Sequence, residues 1–138
     1  MTIGGNIEVI HRPYENLTDK EIKELVKGLT EIARDGFGTE ITEEDVENHV
    51  LKTDEVYLFK PDDVAGFSSF NKYKVLGHGV LYLNGIVVKR KYQKNGFFYK
   101  ANSRAIKKNK PDIFITRTQN PVVYGAPSSR NFLWYCFR

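Results

Sequence analysis

The residues best spaced for chemistry lie in QKNGFF, Gln93 to Phe98, where one glycine stands between a basic stretch and an amphipathic segment. Before it runs GIVVKRKY, a β-branched strand pattern ending in Lys89 and Arg90. After it, Phe98, Ala101 and Ala105 recur on one helical face. A strand that feeds a helix N-terminus is an anion site: the first helical amides lack intrahelical partners, and the helix dipole is positive there. Gly96 would let the main chain approach phosphate oxygens, with Lys89, Arg90 and Lys94 adding long-range attraction. The same residues also suit a simple turn with solvated lysines, and local pattern alone leaves both readings open.

Other chemistries find less support. The single cysteine, Cys136, excludes an intramolecular disulfide and a CxxC metal site. His11, His49 and His78 have no second histidine or cysteine at ligand spacing, so no metal is expected. The formal net charge of +4, with a pI near 9.1, favours an anionic partner without naming it. No apolar run reaches the roughly 18 residues needed to span a bilayer. The expectation is a soluble cytoplasmic protein.

The elements that must position the junction are legible in the chain. With 138 residues, 41% of them hydrophobic, the expectation is one domain over 1–138 with a single core. IEVI, from Ile7, alternates as a half-buried strand. In LTDKEI, Thr18 and Glu21 form a capping box, with Leu17 and Ile22 as a hydrophobic staple. A helix follows through Ile22, Leu25, Val26, Leu29, Ile32 and Ala33, with Gly36 or Gly38 as its stop. Thr42 in ITEEDV starts a second, shorter helix to about Leu51.

EVYLF, Val64 to Phe70 and Val75 to Val88 then read as an antiparallel meander. A third helix opens after Gly96, DIFITRT is a further strand, Pro121 permits a short helix, and FLWYCF supplies a last strand. The order is β, α, α, three or so strands, α, β, short α, β, which predicts an α/β (α+β) class with helices flanking one central, mostly antiparallel sheet.

From Leu83 onward the chain resembles the GCN5-related N-acetyltransferase (GNAT) superfamily. In that family a strand LxxIxV runs into V-x-x-x-Y-Q/R-x-x-G-x-G/A. The match here is Leu83, Ile86, Val88, Tyr92, Gln93 and Gly96. TRTQNPVVY is similar to the family's next strand and turn. Element order agrees from Ile7 to Tyr124, and the motif-level likeness covers Val80 to Tyr124.

The resemblance implies a GNAT-like acyl-CoA N-acyltransferase fold and transfer of an acetyl group from acetyl-CoA to a primary amine, with no metal. Backbone groups of Ile86, Val87 and Val88 would meet the pantetheine arm like an added strand. Amides of Lys94, Asn95, Gly96, Phe97, Phe98 and Tyr99, beside Gln93, would wrap the pyrophosphate. Asn120 would face the pantetheine or acyl end, and Tyr124 would protonate the departing thiolate.

Departures are also plain. Phe98 stands where the family usually has glycine or alanine, and LYLNG, from Leu81, lacks the carboxylate many members carry there. Without it, the amine would lose its proton to water, a backbone group or His78, although His78 also reads as a loop residue and Glu55 as a solvated strand end. The family's C-terminal strands would be short or incomplete here, so a homodimer that completes the acceptor side stays open. Two other functions remain: a nucleic-acid-binding module using the basic, aromatic segment 89–110, and a non-catalytic coenzyme A binder of the same fold.

Overall fold

A computed structural model describes residues 6–92, 96–116 and 134–136. The strand β1 (Ile7–His11) leads through the short helix α1 (Pro13–Asn16) to the long helix α2 (Asp19–Phe37). Thr18 caps α2 as the sequence predicts: its hydroxyl accepts from Glu21 N at 3.1 Å, and Glu21 Oε1 accepts from Thr18 N at 2.8 Å. Gly38, at φ 126°, ends the helix in a conformation that disfavours side chains. α1 escaped the sequence reading because its start depends on Pro13 at the first helical position and a left-handed Arg12, not on periodicity.

Thr42 caps α3 (Glu43–Val46) with a second reciprocal box, to Asp45. The expected α-helix to Leu51 instead widens into a π-helical turn, Glu47–Leu51, in which Lys52 N donates to Glu47 O at 3.2 Å. This turn carries Val50 and Leu51, together with Val46 of α3, into the core.

Among the described residues six strands form one sheet in chain order: β1, β2 (Glu55–Phe59), β3 (Gly66–Val75), β4 (His78–Val88), β5 (Ile113–Thr116) and β6 (Trp134–Cys136). The first four are antiparallel, and the predicted meander is β2 to β4. However, β3 runs on to Val75, where the sequence pattern starts the next strand, and the hairpin turns at Leu76–Gly77. β4 and β5 are parallel, joined through α4 (Phe97–Asn109), and β6 returns antiparallel to β5. The short helix expected near Pro121 lies outside the described residues.

Each face of the sheet carries a core layer. Val56, Leu58, Phe67 and Val87 meet Ile22, Val26, Leu29 and Ile32 of α2 with Val46 and Val50 on one face. On the other, Tyr57, Phe59, Phe70, Leu81, Leu83, Ile86 and Phe114 meet Phe97, Ala101 and Ala105 of α4. Each aliphatic side chain so buried contributes about 1.5–3 kcal/mol. Coverage on both faces explains why all of β2 is buried.

Candidate active site

The candidate site lies along the second half of β4. On one side β4 pairs with β3 over its whole length, but the register shifts between Ser69 and Phe70: Phe70 faces Leu83 while Ser69 faces Gly85, leaving Asn84 as the extra residue of a bulge. On the other side, pairing with β5 runs from Val80↔Ile113 to Leu83↔Thr116, and no described pair continues it. Asn84 to Val88 therefore extend past the last described β4–β5 pair, and the bulge directly follows that pair. Ile86, Val87 and Val88, the residues assigned to the pantetheine arm, occupy this segment.

Close packing holds the segment in place. A Cβ built on Gly66 would lie 2.8 Å from Val87 O and 3.2 Å from Val88 Cα, so β3 reaches β4 there only through a glycine. A Cβ on Gly36 would lie 2.8 Å from Val87 Cγ1, which brings the end of α2 equally close to the same strand. After β4 the chain makes a 3-10 turn, Arg90–Tyr92, closed by Tyr92 N donating to Lys89 O at 2.8 Å.

α4 then starts at Gly96, whose φ of 78° and ψ of 17° are left-handed, and no side chain among the described residues caps it. Nothing lies within 4 Å of a Cβ placed on Gly96, so the backbone conformation, not space, calls for glycine. Phe97 is buried and stacks on Phe59 with ring centroids 5.1 Å apart. The predicted helical stripe thus begins at Phe97, with Phe98 partly buried beside the same core. Phe98 turns into the protein, so the bulky residue at the family's small position is accommodated in the core layer. The first turn of α4 presents an electropositive end after that strand.

Other sequence-predicted groups have different employment. Arg90 is not held for a ligand: its N–H donates to Asp35 Oδ2 at 2.9 Å and its Nε to Asp35 O at 3.1 Å. Glu55 is fully buried on the α4 face, and Tyr57 and Asn109 each donate to its Oε1 at 3.1 Å. Lys108 donates to Oε2 at 2.8 Å, with Lys72 at 3.7 Å. Burial pushes this carboxyl up, but the hydrogen bonds from Lys108 and Asn109 outweigh it and hold the pKa below the usual range. It is a fixed anion, not a base in waiting. His78 stands at the other end of β4, 3.5 Å from Asp112, and about 20 Å along the strand from Asn84 at roughly 3.3 Å per residue. Neither residue meets the segment from Asn84 to Val88.

The aromatic residues do not form an exposed stacking row. Phe97 is in the core, Tyr92 packs edge-on to Phe59 at 5.9 Å, and Tyr99 alone of this group is fully exposed. This arrangement disfavours a nucleic-acid platform on segment 89–110. Gln93, Lys94, Asn95, Asn120 and Tyr124 lie outside the described residues.

The sequence reading missed Asn84, the extra residue of the bulge, and two buried oxygens without a hydrogen-bond partner among the described residues, Ser68 Oγ and Asn102 Oδ1. Asn84-Gly85 inside a strand pattern is the signal that marks a bulge. Ser68 pairs with Ile86, so its hydroxyl sits in the strand next to the segment from Asn84 to Val88. An extended ligand rich in amides, with a diphosphate at one end, suits such a strand and the helix start that follows it.

No protein-family model matches this sequence, and no curated protein sequence matches it. Solved structures do. A probable acetyltransferase superposes with a TM-score of 0.60 at 14% identity, covering 96% of this chain and 97% of its own. The ribosomal-protein-alanine N-acetyltransferase of Brucella melitensis biovar Abortus gives 0.57 at 13% identity, covering 91% and 85%. A GNAT family acetyltransferase of Staphylococcus aureus gives 0.55 at 12%, covering 83% and 88%. None of the described helices is long and apolar enough to cross a membrane. With its bulged fourth strand, a parallel fifth strand beside it and glycine-started α4, the chain has the GCN5-related N-acetyltransferase fold.

Proposed function

We propose that this chain is an N-acetyltransferase that moves an acetyl group from acetyl-CoA to a primary amine by direct attack in a ternary complex. The observation that carries the reading is the junction itself: beyond Leu83↔Thr116, the last described β4–β5 pair, β4 runs on through the Asn84 bulge to Val88, and α4 starts from the left-handed Gly96. The fold's solved relatives that are acetyltransferases support it.

The coenzyme supplies an activated thioester. In this reading Ile86, Val87 and Val88 receive the pantetheine arm as an added strand, and Asn120 faces its acyl end. Main-chain amides from Lys94 to Tyr99, with Gln93 alongside, take the pyrophosphate. The Val88 amide faces the oxygen on which negative charge develops, and Tyr124 gives its hydroxyl proton to the leaving sulfur. The family pattern is the support for Tyr124 and Asn120. With Glu55 locked in its ion pairs and His78 far along the strand, the amine loses its proton to water. Holding amine and thioester together supplies much of the acceleration.

Calorimetric titration with acetyl-CoA tests the reading. One-to-one binding is expected, and absence of binding overturns it. Gly96→Asp and Gly96→Asn accept similar left-handed backbone strain, but only the first brings a carboxylate to the pyrophosphate. Affinity for Gly96→Asp should fall about tenfold below that of Gly96→Asn. Tyr124→Phe should lower turnover with amine acceptors while leaving coenzyme affinity unchanged.

A further inference from the structure

The end of β3 has an open edge. β2 pairs with β3 from Phe59↔Gly66 to Glu55↔Phe70, whereas β3 continues against β4 as far as Val75↔His78. Asp54 completes the ladder where β2 stops: its N–H donates to Phe70 O at 3.1 Å, and its Oδ2 accepts from Lys72 N at 2.8 Å. In antiparallel pairing both main-chain groups of one residue point the same way, and the direction alternates along the strand. Phe70 and Lys72 therefore point outward, and so does Lys74, while Tyr73 and Val75 bond toward β4. Past Asp54, the Lys72 carbonyl and both main-chain groups of Lys74 meet no strand among the described residues.

The two faces of this edge differ in chemistry. Lys72 and Lys74 are exposed on the side of α4. Tyr73 and Val75, 51% and 52% exposed, lie on the other side. At the apex Leu76 is 94% exposed and left-handed, with φ 52°, followed by Gly77 at φ 82°. A two-residue turn of this type favours Asn-Gly, so a strained leucine sits at the most exposed point of the ribbon. No acidic residue occurs from Asn71 to Val88. The nearest carboxylates are engaged: Glu55 with Lys108 and, at 3.7 Å, with Lys72 Nζ, Asp54 with Arg12 and Lys72 N, Asp112 with Gly79 N and His78.

We propose that this edge docks an extended polypeptide segment in which acidic residues alternate with apolar ones. The segment adds as a strand to the outward groups of Lys72 and Lys74. A carboxylate of the segment meets the Lys74 ammonium on one face, where Lys72 already lies 3.7 Å from Glu55, and its apolar side chains cover Tyr73 and Val75 on the other. A sugar-phosphate chain matches the charges but offers no alternating apolar side chains for Tyr73 and Val75.

The test is a titration of the isotopically labelled full chain, followed by amide NMR at low salt, with acetyl-Glu-Val-Glu-Val-Glu-amide. Its lysine-for-glutamate counterpart and a short single-stranded oligonucleotide are the comparisons. The acidic peptide should shift the Lys72 to Leu76 amides saturably and slow hydrogen exchange at Lys74. Lys74→Glu should weaken binding about fivefold through charge, and Lys74→Pro about fivefold through loss of an outward donor. Lys74→Arg should bind as the parent does. No saturable shift with the acidic peptide, equal binding of the lysine peptide, or occupation of this edge by the oligonucleotide instead would each overturn the proposal.

Discussion

Asp35 and Arg90 join the end of α2 to the turn that follows β4. The Asp35 carboxylate takes the Arg90 main-chain N–H at 2.9 Å, and its carbonyl takes Arg90 Nε at 3.1 Å. Two contacts from one residue fix both the direction of the turn and the approach to Gly96. Asp35→Ala should lower unfolding stability by only about 1 kcal/mol, since the pair is exposed and water can replace the lost acceptor. In the proposed reading, acetyl-CoA affinity should fall more than that stability change suggests, because Asp35 anchors the turn that leads to α4. Calorimetry and urea unfolding on the same variant separate the two effects.

Gly66 tests the shape of the second half of β4. Its missing Cβ leaves room for Val87 O, and backbone atoms cannot swing aside as a side chain tip would. Gly66→Ala should cost about 1–3 kcal/mol of stability by forcing β3 and β4 apart. It should also displace Val87 and Val88, so coenzyme affinity falls in parallel. A variant that keeps both properties would mean that the strands yield without disturbing the cleft.

Much of this arrangement is visible in the residues themselves, and the reasons vary by element. Thr18 with Glu21 and Thr42 with Asp45 mark two helix starts because capping is a local exchange of hydrogen bonds. Gly96 marks the third because a left-handed N-cap is also local. The parallel β4–β5 pairing and the extra residue at Asn84 depend on register between segments distant in sequence, which periodicity does not encode. Glu55 shows the limit most clearly. At a strand start it reads as solvated, yet Lys108, Lys72 and Asn109, all far along the chain, converge on it and remove it from the list of bases.

That convergence has a pH signature. The folded pKa of Glu55 lies below its unfolded value, so the unfolded chain binds the proton more readily. The stability Glu55 contributes is therefore present above the unfolded carboxylate range and lost as pH falls through the folded value. Glu55→Gln should destabilise the protein by about 1–2 kcal/mol at neutral pH, since the charge-assisted bond from the partly exposed Lys108 is lost and water can hydrate that ammonium. It should also flatten the acid limb of the stability curve. Urea unfolding from neutral to acid pH checks both, and parallel curves for the two proteins would show that acid sensitivity arises elsewhere.

Leu76 offers a gain where the others predict losses. A left-handed leucine pays for contact between its Cβ and the neighbouring carbonyl, roughly 1–2 kcal/mol, and at 94% exposure it recovers little by burial. Asparagine occupies that region more readily and precedes glycine in the preferred two-residue hairpin turn. Leu76→Asn should therefore raise stability by about 0.5–1 kcal/mol, seen as a higher urea midpoint with an unchanged slope. The turn lies at the end of β4 away from Gly96, so acetyl-CoA affinity should not move. A lower midpoint would mean that the leucine makes apolar contacts in solution worth more than its backbone strain.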